Sequence, residues 1–160
     1  EIKYYHTMVG YNYRMTEVAA AIGREQVRLI DEFSRVRRKN AKFLTDSISH
    51  LGLTGFIPPY TMPHATHVFH QYTVLVDEEK AGRTRDEIAS ALKSAGVETG
   101  VHYPRPIYDQ PCYLDDLETP PDCPVTEHIY RRVLSLPVHP GLSEEDLEHV
   151  AHALAKSCSS

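Results

Sequence analysis

The feature that most constrains the fold is a long run of apolar residues with helical spacing between residues 16 and 50. They recur at steps of three or four residues or multiples of these: Val18, Ile22, Leu29, Ile30, Phe33, Leu44, Ile48 and Leu51. Such spacing puts them on one face of a helix. Thr16 is suited to cap its start and Gly52 to end it. The sequence therefore predicts one long amphipathic helix over 16–50, straight or bent near its middle, that links the following residues to whatever precedes it.

Behind this helix, strand and helix patterns alternate. Four segments rich in β-branched and aromatic residues are predicted to be strands: 53–57, 67–76, 97–103 and 133–136. Capping boxes at Thr84 and Ser143, together with Pro124, predict three further helices. We therefore expect an α/β fold, a small α/β sandwich in which a small sheet is covered by helices. The chain is thereby divided into three parts: an irregular segment 1–15, a long linking helix 16–50 and a small α/β domain 51–160.

Composition excludes several classes of function. Twenty-two acidic residues against 17 lysines and arginines give a formal net charge of -5, whereas nucleic-acid-binding proteins present basic surfaces. No apolar run approaches the ~20 residues that cross a bilayer, and the start shows no signal-peptide pattern. Three cysteines do not indicate a disulfide framework. The sequence predicts a reduced, cytoplasmic protein that binds neither nucleic acid nor membranes.

Asn12 and Arg14 lie just before the predicted start of the long helix. The free backbone N–H groups and the dipole of a helix N-terminus favour anions. An asparagine amide adds a neutral donor there, and a guanidinium group adds a fixed cation that can bind phosphate through two N–H groups. Both residues are therefore candidates for a phosphate or carboxylate contact. On the local pattern alone, a turn asparagine and a surface arginine remain the alternative.

His102 and Tyr103 end a predicted strand, and Pro104 then begins a segment rich in proline and tyrosine, 104–123. Side chains at strand ends that are held by stiff loops often face clefts. A loop of this length is usually functional or a partner surface. His102 could donate a hydrogen bond or carry a proton near neutral pH. A histidine satisfied within its own domain remains the alternative.

No motif for a metal or a nucleophile emerges. His64, His67 and His70 are three residues apart, but in a strand such residues point to opposite faces. The cysteines lack the short spacing of zinc ligands. Ser135 falls in a buried strand pattern without a nucleophile-elbow sequence. We therefore expect neither a metal site nor a serine nucleophile.

Three segments match a known family in order and spacing. They are 9–16 (VGYNYRMT) before an alanine-rich helix start, 100–104 (GVHYP) followed by 110–113 (QPCY), and 134–143 (LSLPVHPGLS). Together they resemble the DegT/DnrJ/EryC1/StrS sugar aminotransferases, over about residues 5–154. The resemblance implies the C-terminal small domain of a pyridoxal-phosphate-dependent transferase fold, like that of aspartate aminotransferase.

The resemblance also implies an activity. Members of the family transfer an amino group, usually from glutamate, to a keto-sugar attached to a nucleotide, with pyridoxal phosphate as cofactor. They are homodimers whose active sites are shared between subunits. Asn12 matches the asparagine that reaches the cofactor phosphate of the partner subunit, with Arg14 beside it. His102 and Tyr103 match a loop that helps to enclose the sugar nucleotide.

The family's Schiff-base lysine has no match in this chain. In the family it lies upstream, in the large cofactor-binding domain. The six lysines here fit charged helix or loop positions, and Lys3, nearest to the right end, lacks the surrounding pattern. Because that lysine binds the cofactor covalently, we expect no catalytic residue in this chain. We also expect the N-terminal large domain to be absent and the chain alone to be inactive.

Two alternatives stay open beside a part of a transaminase. Some members of the family were first described as regulators, so the chain could be a non-catalytic regulatory module that acts by association. Other members are lysine-less sugar dehydratases that use the same cofactor and carry histidine at the lysine position. The residue at that upstream position would separate the dehydratase from the transaminase.

Two other features are assigned to packing and interfaces. His70 and Tyr72 match a His-x-Tyr strand element of the family, which we interpret as structural or as part of the subunit interface. The apolar face of the helix over 16–50 would be partly exposed without the rest of the protein, and exposed apolar patches usually bind a partner. We therefore expect the isolated chain to self-associate.

Overall fold

The computed structural model describes residues 7–114, 119 and 121–158. The chain forms two compact units, one that ends at Glu32 and one that begins at Phe33. Parts of three predictions lie outside the described residues: 1–6 of the irregular segment, with Lys3 among them; 115–118 and 120 of the long loop; and 159–160 at the end of the small domain.

The first unit contains an irregular segment and one complete helix. Residues 9–16 form neither helix nor strand, and helix α1 follows over Glu17–Val27. Thr16 caps this helix as predicted, because its hydroxyl oxygen accepts a hydrogen bond from the backbone N–H of Ala19 at 3.2 Å. None of the 11 residues of α1 is buried, and Val18 is 72% exposed. The apolar face of α1 is therefore present and uncovered.

The range 16–50 holds two helices where one was predicted. Helix α1 ends at Val27, and α2 runs over Ile30–His50. Between them the N–H of Leu29 donates to the carbonyl of Gln26, three residues earlier, at 3.0 Å. This tighter turn replaces the α-helical bond to the fourth preceding residue. The apolar spacing continues across the turn, which is why the sequence pattern does not reveal it.

The second unit is built on a three-stranded antiparallel sheet in the order β1-β2-β3. Its strands are β1 over Phe56–Ile57, β2 over Tyr72–Val76 and β3 over Val133–Leu136. In β2 every second residue is buried, as expected for a strand with one face on the core. All four residues of β3 are buried. The register places Thr73 directly opposite Ser135.

The strand predicted over 97–103 is wrong. Only Gly100 pairs with the sheet, through an isolated bridge to Ser135 with N···O distances of 3.0 and 2.8 Å. Glycine adds no side chain to a strand's packing, and Pro104 and Pro106 have no N–H to donate to a ladder. Regular pairing is therefore not sustained, and the segment leaves the sheet after one bridge.

The strand predicted over 67–76 begins only at Tyr72. Phe69 has a φ of 47°, in the left-handed region that non-glycine residues rarely adopt. Its backbone N–H donates to Nδ1 of His67 at 2.8 Å. A local turn therefore replaces the first half of the predicted strand.

The remaining long helices begin where their capping signals predict. Helix α4 (Arg85–Ser94) follows Thr84, and α7 (Glu144–Ser157) follows Ser143, each with a complete capping box. Helix α6 (Pro124–Tyr130) has its proline in the first turn. Three short segments complete the unit: α3 over Glu78–Ala81, a 3₁₀ helix over Ile107–Asp109 and α5 over Pro111–Leu114.

One hydrophobic core joins α2, the sheet, α4 and α7. Its largest fully buried apolar residues are Leu44, Tyr72, Ile88, Leu92, Leu134, Leu147 and Leu154. The fold is thus a small sheet with helices packed against it, which confirms the predicted α/β class. Within the described part of the chain, no helix is long and apolar enough to cross a membrane.

Candidate functional site

Asn12 and Arg14 form a hydrogen-bonded pair ahead of α1. Oδ1 of Asn12 accepts from the backbone N–H of Arg14 at 3.3 Å and from its Nε at 3.2 Å. Both side chains are exposed. The amide NH2 of Asn12 and the terminal NH2 groups of Arg14 have no hydrogen-bond partner among the described residues. The pair therefore offers donors and positive charge to solvent, which fits an anion such as a phosphate group.

Two tyrosines alternate with this pair along the chain. The rings of Tyr11 and Tyr13 lie 5.9 Å apart between centroids and are tilted by 33°. They are 82% and 87% exposed. Large aromatic side chains left this open are typical of contact surfaces. The segment ahead of α1 thus combines anion-binding groups with an uncovered apolar surface.

His102 contacts the sheet through the hydroxyl group of Ser135, which in turn contacts that of Thr73. Its Nδ1 lies 3.2 Å from Oγ of Ser135, and this Oγ lies 2.8 Å from Oγ1 of Thr73 on the neighbouring strand. Ser135 is only 7% exposed, whereas His102 is exposed. One ring nitrogen is thus bound to the protein, and Nε2 has no hydrogen-bond partner among the described residues.

The ring of His102 lies directly against Gly100. A Cβ atom at residue 100 would be 2.5 Å from Cε1 and 3.2 Å from Nδ1 of this ring. Gly100 is also bound to Ser135 through both of its backbone groups, so the residue that the ring lies against and the residue that its Nδ1 contacts are held together. A residue without a side chain is required for this close approach.

Replacing Gly100 with alanine should displace the His102 ring from Ser135 and leave the fold almost unchanged. The added methyl group meets a side-chain ring, which can rotate away. We expect the free energy of unfolding to change by less than about 1 kcal/mol and the ring signals of His102 to shift in NMR spectra. Gly141→Ala is the matched control, since a Cβ there would lie at an ordinary 3.4 Å from the His139 ring. Unchanged His102 signals in Gly100→Ala would contradict the prediction.

His102 and Tyr103 line one cavity of about 300 Å³. The wall is largely apolar, with Pro106, Ile107, Val125, Ile129 and Val133. Tyr103 is 73% exposed, and its ring meets the edge of the His102 ring at 5.8 Å and 87°. A mostly apolar cavity with a few polar groups at its margin is typical of small-molecule sites, which begin at about this volume. The structure therefore brings the two predicted residues together at one cavity.

A second cavity of about 260 Å³ also reaches His102 and is more polar. Arg37 enters it from α2, and Glu98 and His139 contribute further polar groups. Nη1 of Arg37 also donates to the backbone carbonyls of Phe69 at 3.2 Å and His70 at 3.1 Å. These contacts fix the guanidinium group beside the cavity. Sequence analysis did not identify Arg37, because its position depends on how α2 packs.

Tyr108 ties the loop of the first cavity to α6. Its hydroxyl group donates a short hydrogen bond to Oε1 of Glu127. This bond to a carboxylate raises the pKa of Tyr108 to about 12. The hydroxyl therefore keeps its proton, and the bond between the 3₁₀ helix and α6, to a higher pH than an ordinary tyrosine would. The contact spans 19 residues of sequence, so no local motif signals it.

Tyr72, which the sequence also singled out, has a structural role. Tyr72 is fully buried, and its hydroxyl lies 2.8 Å from Oγ1 of Thr45. Burial raises the pKa of Tyr72. These contacts agree with the interpretation of Tyr72 as structural.

Within residues 7–114, 119 and 121–158, no group of three or more histidine, cysteine, aspartate or glutamate side chains could hold a metal ion.

The candidate residues form two pairs in two units. Asn12 and Arg14 belong to the unit that ends at Glu32, and His102 and Tyr103 to the unit that begins at Phe33. No sequence motif marks the hydroxyl groups of Thr73 and Ser135 beneath the second pair. Their contact depends on the register of β2 against β3, which no local motif encodes.

The sequence matches a known protein family and is similar to several of its members. The sequence profile of the DegT/DnrJ/EryC1/StrS aminotransferase family matches residues 1–155. The chain is 34% identical over 154 residues to the pleiotropic regulatory protein of Geobacillus stearothermophilus and 31% identical over 154 residues to UDP-N-acetyl-3-dehydro-alpha-D-glucosamine 3-aminotransferase of Acidithiobacillus ferrooxidans. Each alignment covers 96% of this chain but only 40% and 39% of the respective relative.

Solved structures give the same result. DesV of S. venezuelae is 31% identical, with a TM-score of 0.83 over 97% of this chain and 40% of that one. The aminotransferase TlmJ of Streptoalloteichus hindustanus is 30% identical, with a TM-score of 0.79 over 94% of this chain and 38% of that one. The chain thus spans about 40% of the length of the proteins that it matches.

Proposed function

This chain belongs to the DegT/DnrJ/EryC1/StrS aminotransferase family, and we propose that it is the C-terminal part of a pyridoxal-phosphate-dependent sugar aminotransferase. The complete enzyme would transfer an amino group from glutamate to a keto-sugar attached to a nucleotide. The observation that carries the proposal is the pair of exposed side chains Asn12 and Arg14, whose NH2 groups remain available to donate while Oδ1 of Asn12 accepts from Arg14. A relative named as a 3-aminotransferase of a UDP-linked dehydro-sugar supports the substrate class.

Asn12 and Arg14 would bind the phosphate group of pyridoxal phosphate held by the partner subunit. The cofactor, when bound, supplies the electron sink for amino-group transfer. Oδ1 of Asn12 is occupied by Arg14, so the amide NH2 is the part left to donate to a phosphate oxygen. The guanidinium group of Arg14 adds positive charge beside that donor.

His102 and Tyr103 would bind the nucleotide-linked sugar. The cavity that they line combines apolar side chains with the His102 ring. The exposed ring of Tyr103 is available for stacking on a flat ligand group. Because neither residue needs to exchange a proton for binding, both are assigned to substrate binding, and no catalytic residue is proposed in this chain.

A second copy of the complete protein is the proposed partner. The apolar face of α1 is uncovered, and Tyr11 and Tyr13 are more than four-fifths exposed. Such surfaces suit an interface between subunits. A homodimer would let the Asn12 segment of one subunit reach the cofactor of the other. The isolated chain would then self-associate but remain inactive, since the lysine that binds the cofactor covalently would lie upstream.

A regulatory module that acts by association is the second candidate. One observation favours it: the Geobacillus stearothermophilus relative, 34% identical, is named a pleiotropic regulatory protein. Under this reading the Asn12 segment would serve the interface alone, without a cofactor.

The decisive experiment compares the full-length protein with the isolated chain. We expect the full-length protein to bind pyridoxal phosphate and to convert a nucleotide-linked keto-sugar and glutamate into the amino-sugar and 2-oxoglutarate, measured by mass spectrometry. The isolated chain should show no cofactor absorbance band and no product.

In the full-length protein, His102→Ala should raise KM for the nucleotide sugar by about tenfold or more, since a hydrogen bond to a charged ligand is lost.

The matched control is His152→Ala on the exposed face of α7, which should leave KM for the nucleotide sugar and KM for glutamate unchanged. A full-length protein that binds no pyridoxal phosphate would overturn the proposal in favour of the regulatory module. Unchanged KM for the nucleotide sugar in His102→Ala would remove the substrate role of that residue alone.

A further inference from the structure

The two hydroxyl groups beneath His102 bear on which ring nitrogen carries the proton. A neutral imidazole has one N–H donor and one bare nitrogen that accepts, and the partner of one nitrogen fixes the role of the other. In His102 the fixed nitrogen is Nδ1, which lies 3.2 Å from Oγ of Ser135. The direction of this one hydrogen bond therefore decides whether Nε2 donates or accepts.

Ser135 has a single hydroxyl proton for two neighbours. Its Oγ contacts Nδ1 of His102 and also Oγ1 of Thr73, at 2.8 Å. Two arrangements give each contact one proton and also use the proton of Ser135. Either Thr73 donates to Ser135 and Ser135 donates to Nδ1, or Nδ1 donates to Ser135 and Ser135 donates to Thr73. If both neighbours donated to Ser135, its own proton would have no acceptor among the described residues at a position that is only 7% exposed.

The two arrangements differ in the proton of Thr73. In the first, both hydroxyl protons are used between these three residues. In the second, Thr73 keeps a proton with no acceptor, because its Oγ1 is hydrogen-bonded to Ser135 and to no other described residue. Thr73 is partly buried and Ser135 is 7% exposed, and polar groups that are withdrawn from water are stable only when their hydrogen bonds are satisfied. The first arrangement is therefore favoured, because it leaves neither hydroxyl proton without an acceptor.

We infer that Ser135, supported by Thr73, holds neutral His102 with its proton on Nε2, so that the ring presents a hydrogen-bond donor to its ligand. Ser135 is then a positioning residue for the site, and Thr73 donates its proton to Oγ of Ser135. The consequence for substrate rests on the proposed function: Nε2–H of His102 donates to an acceptor oxygen of the nucleotide-linked sugar.

The charges around the ring agree with a ligand that carries acceptor oxygens. Arg105 lines the first cavity, and Arg37 lines the second. Glu98 and His139 also face the second cavity. The two guanidinium groups offer N–H donors to acceptor oxygens such as those of phosphates. Their charge is offset by Glu98 and by Asp109, whose Oδ2 lies 3.7 Å from Nη1 of Arg105. A neutral donor at Nε2 adds a further directed hydrogen bond.

Nitrogen NMR of the histidine rings tests the inference without any ligand. At about pH 9, where histidine rings are ordinarily neutral, His102 in the isolated chain should show a proton on Nε2 and a bare, hydrogen-bonded Nδ1. Ser135→Ala should produce a mixture of both tautomers, because the directing hydroxyl is lost. Thr73→Val should keep the proton on Nε2, since Ser135 can still donate to Nδ1. The control Thr45→Val removes a hydroxyl that is bonded to Tyr72 instead and should leave His102 unchanged.

A proton on Nδ1 in the unsubstituted chain, or a switch from Nδ1 to Nε2 in Thr73→Val, would overturn the inference. Either result leaves the proposed aminotransferase activity intact. Conversely, absence of amination by the full-length protein would overturn the proposed function and leave the tautomer result standing.

A second experiment tests the positioning role in the full-length enzyme. Ser135→Ala should raise KM for the nucleotide sugar by about two- to tenfold, with kcat and KM for glutamate unchanged. Added to His102→Ala, the same substitution should have no further effect on KM, because Ser135 acts through the His102 ring. Additive losses in the double variant would show that Ser135 acts independently of His102. Thermal unfolding of each variant would identify a loss that comes from misfolding.

Discussion

Replacing Leu134 with alanine should lower the free energy of unfolding by about 2–5 kcal/mol, the usual range for a leucine removed from a well-packed core. Leu134 is 0% exposed and lies in β3 opposite Val74 of β2. Its side chain belongs to the core that joins the sheet to the packed helices. Since small domains are stable by only about 5–15 kcal/mol, this single change removes a large part of the total. Urea unfolding of the isolated chain, followed by circular dichroism, gives the measurement.

Leu51→Ala is the matched control for this prediction. Leu51 follows the end of α2 and is 45% exposed, so the same change of side chain creates no enclosed cavity. We expect a loss of less than about 1 kcal/mol there. Equal losses at the two positions would mean that β3 is not buried in the core as described.

The elements that could be predicted from the sequence are those with a local signal. Thr84 and Ser143 carry capping boxes, so the starts of α4 and α7 depend only on residues within one turn of the helix. Gly96 adopts a φ of 82°, a conformation that glycine accepts without strain. It therefore marks the end of α4 in the sequence itself. Such signals do not depend on how the chain packs.

The elements that could not be predicted depend on distant parts of the chain. The pattern over 97–103 has β-forming residues, but one bridge at Gly100 is all the pairing that the sheet provides. The turn between α1 and α2 leaves the apolar spacing intact. In the first case tertiary pairing overrides the local preference for a strand. In the second, a bond between Leu29 and Gln26 interrupts the helix, and the apolar pattern carries no sign of it.

The candidate site divides in the same way. Asn12 and His102 could be identified from residue chemistry and from the family resemblance, and their roles stay predictions. Thr73 and Ser135 could not, because each is an ordinary strand residue until the register of β2 and β3 places them side by side. Their partner His102 is 33 residues before Ser135 in sequence. Only the folded chain joins the three.

Replacing Asn12 with alanine in the full-length enzyme should raise the Kd for pyridoxal phosphate by about 10- to 100-fold. A hydrogen bond to a charged group contributes about 1.5–3 kcal/mol, and this variant would lose the amide donor that the proposed function assigns to the phosphate. It also loses the oxygen that holds Arg14, whose backbone N–H and Nε are bound at 3.3 and 3.2 Å. Both the neutral donor and the fixed position of the cation are therefore removed. Titration of the apoenzyme with cofactor, followed by absorbance, measures the effect.

Asn12→Asp separates the two contributions. Aspartate keeps an oxygen that can accept from Arg14 but replaces the amide NH2 with a negatively charged oxygen. If the NH2 group faces the phosphate, the two negative charges repel each other, and cofactor binding should be weaker in this variant than in Asn12→Ala. Gln26→Ala, which removes an exposed amide from α1, should leave cofactor binding unchanged. If both Asn12 variants bind the cofactor as tightly as the unsubstituted protein, the phosphate does not contact Asn12. The hydrogen bonds between Asn12 and Arg14 would then only stabilise a turn.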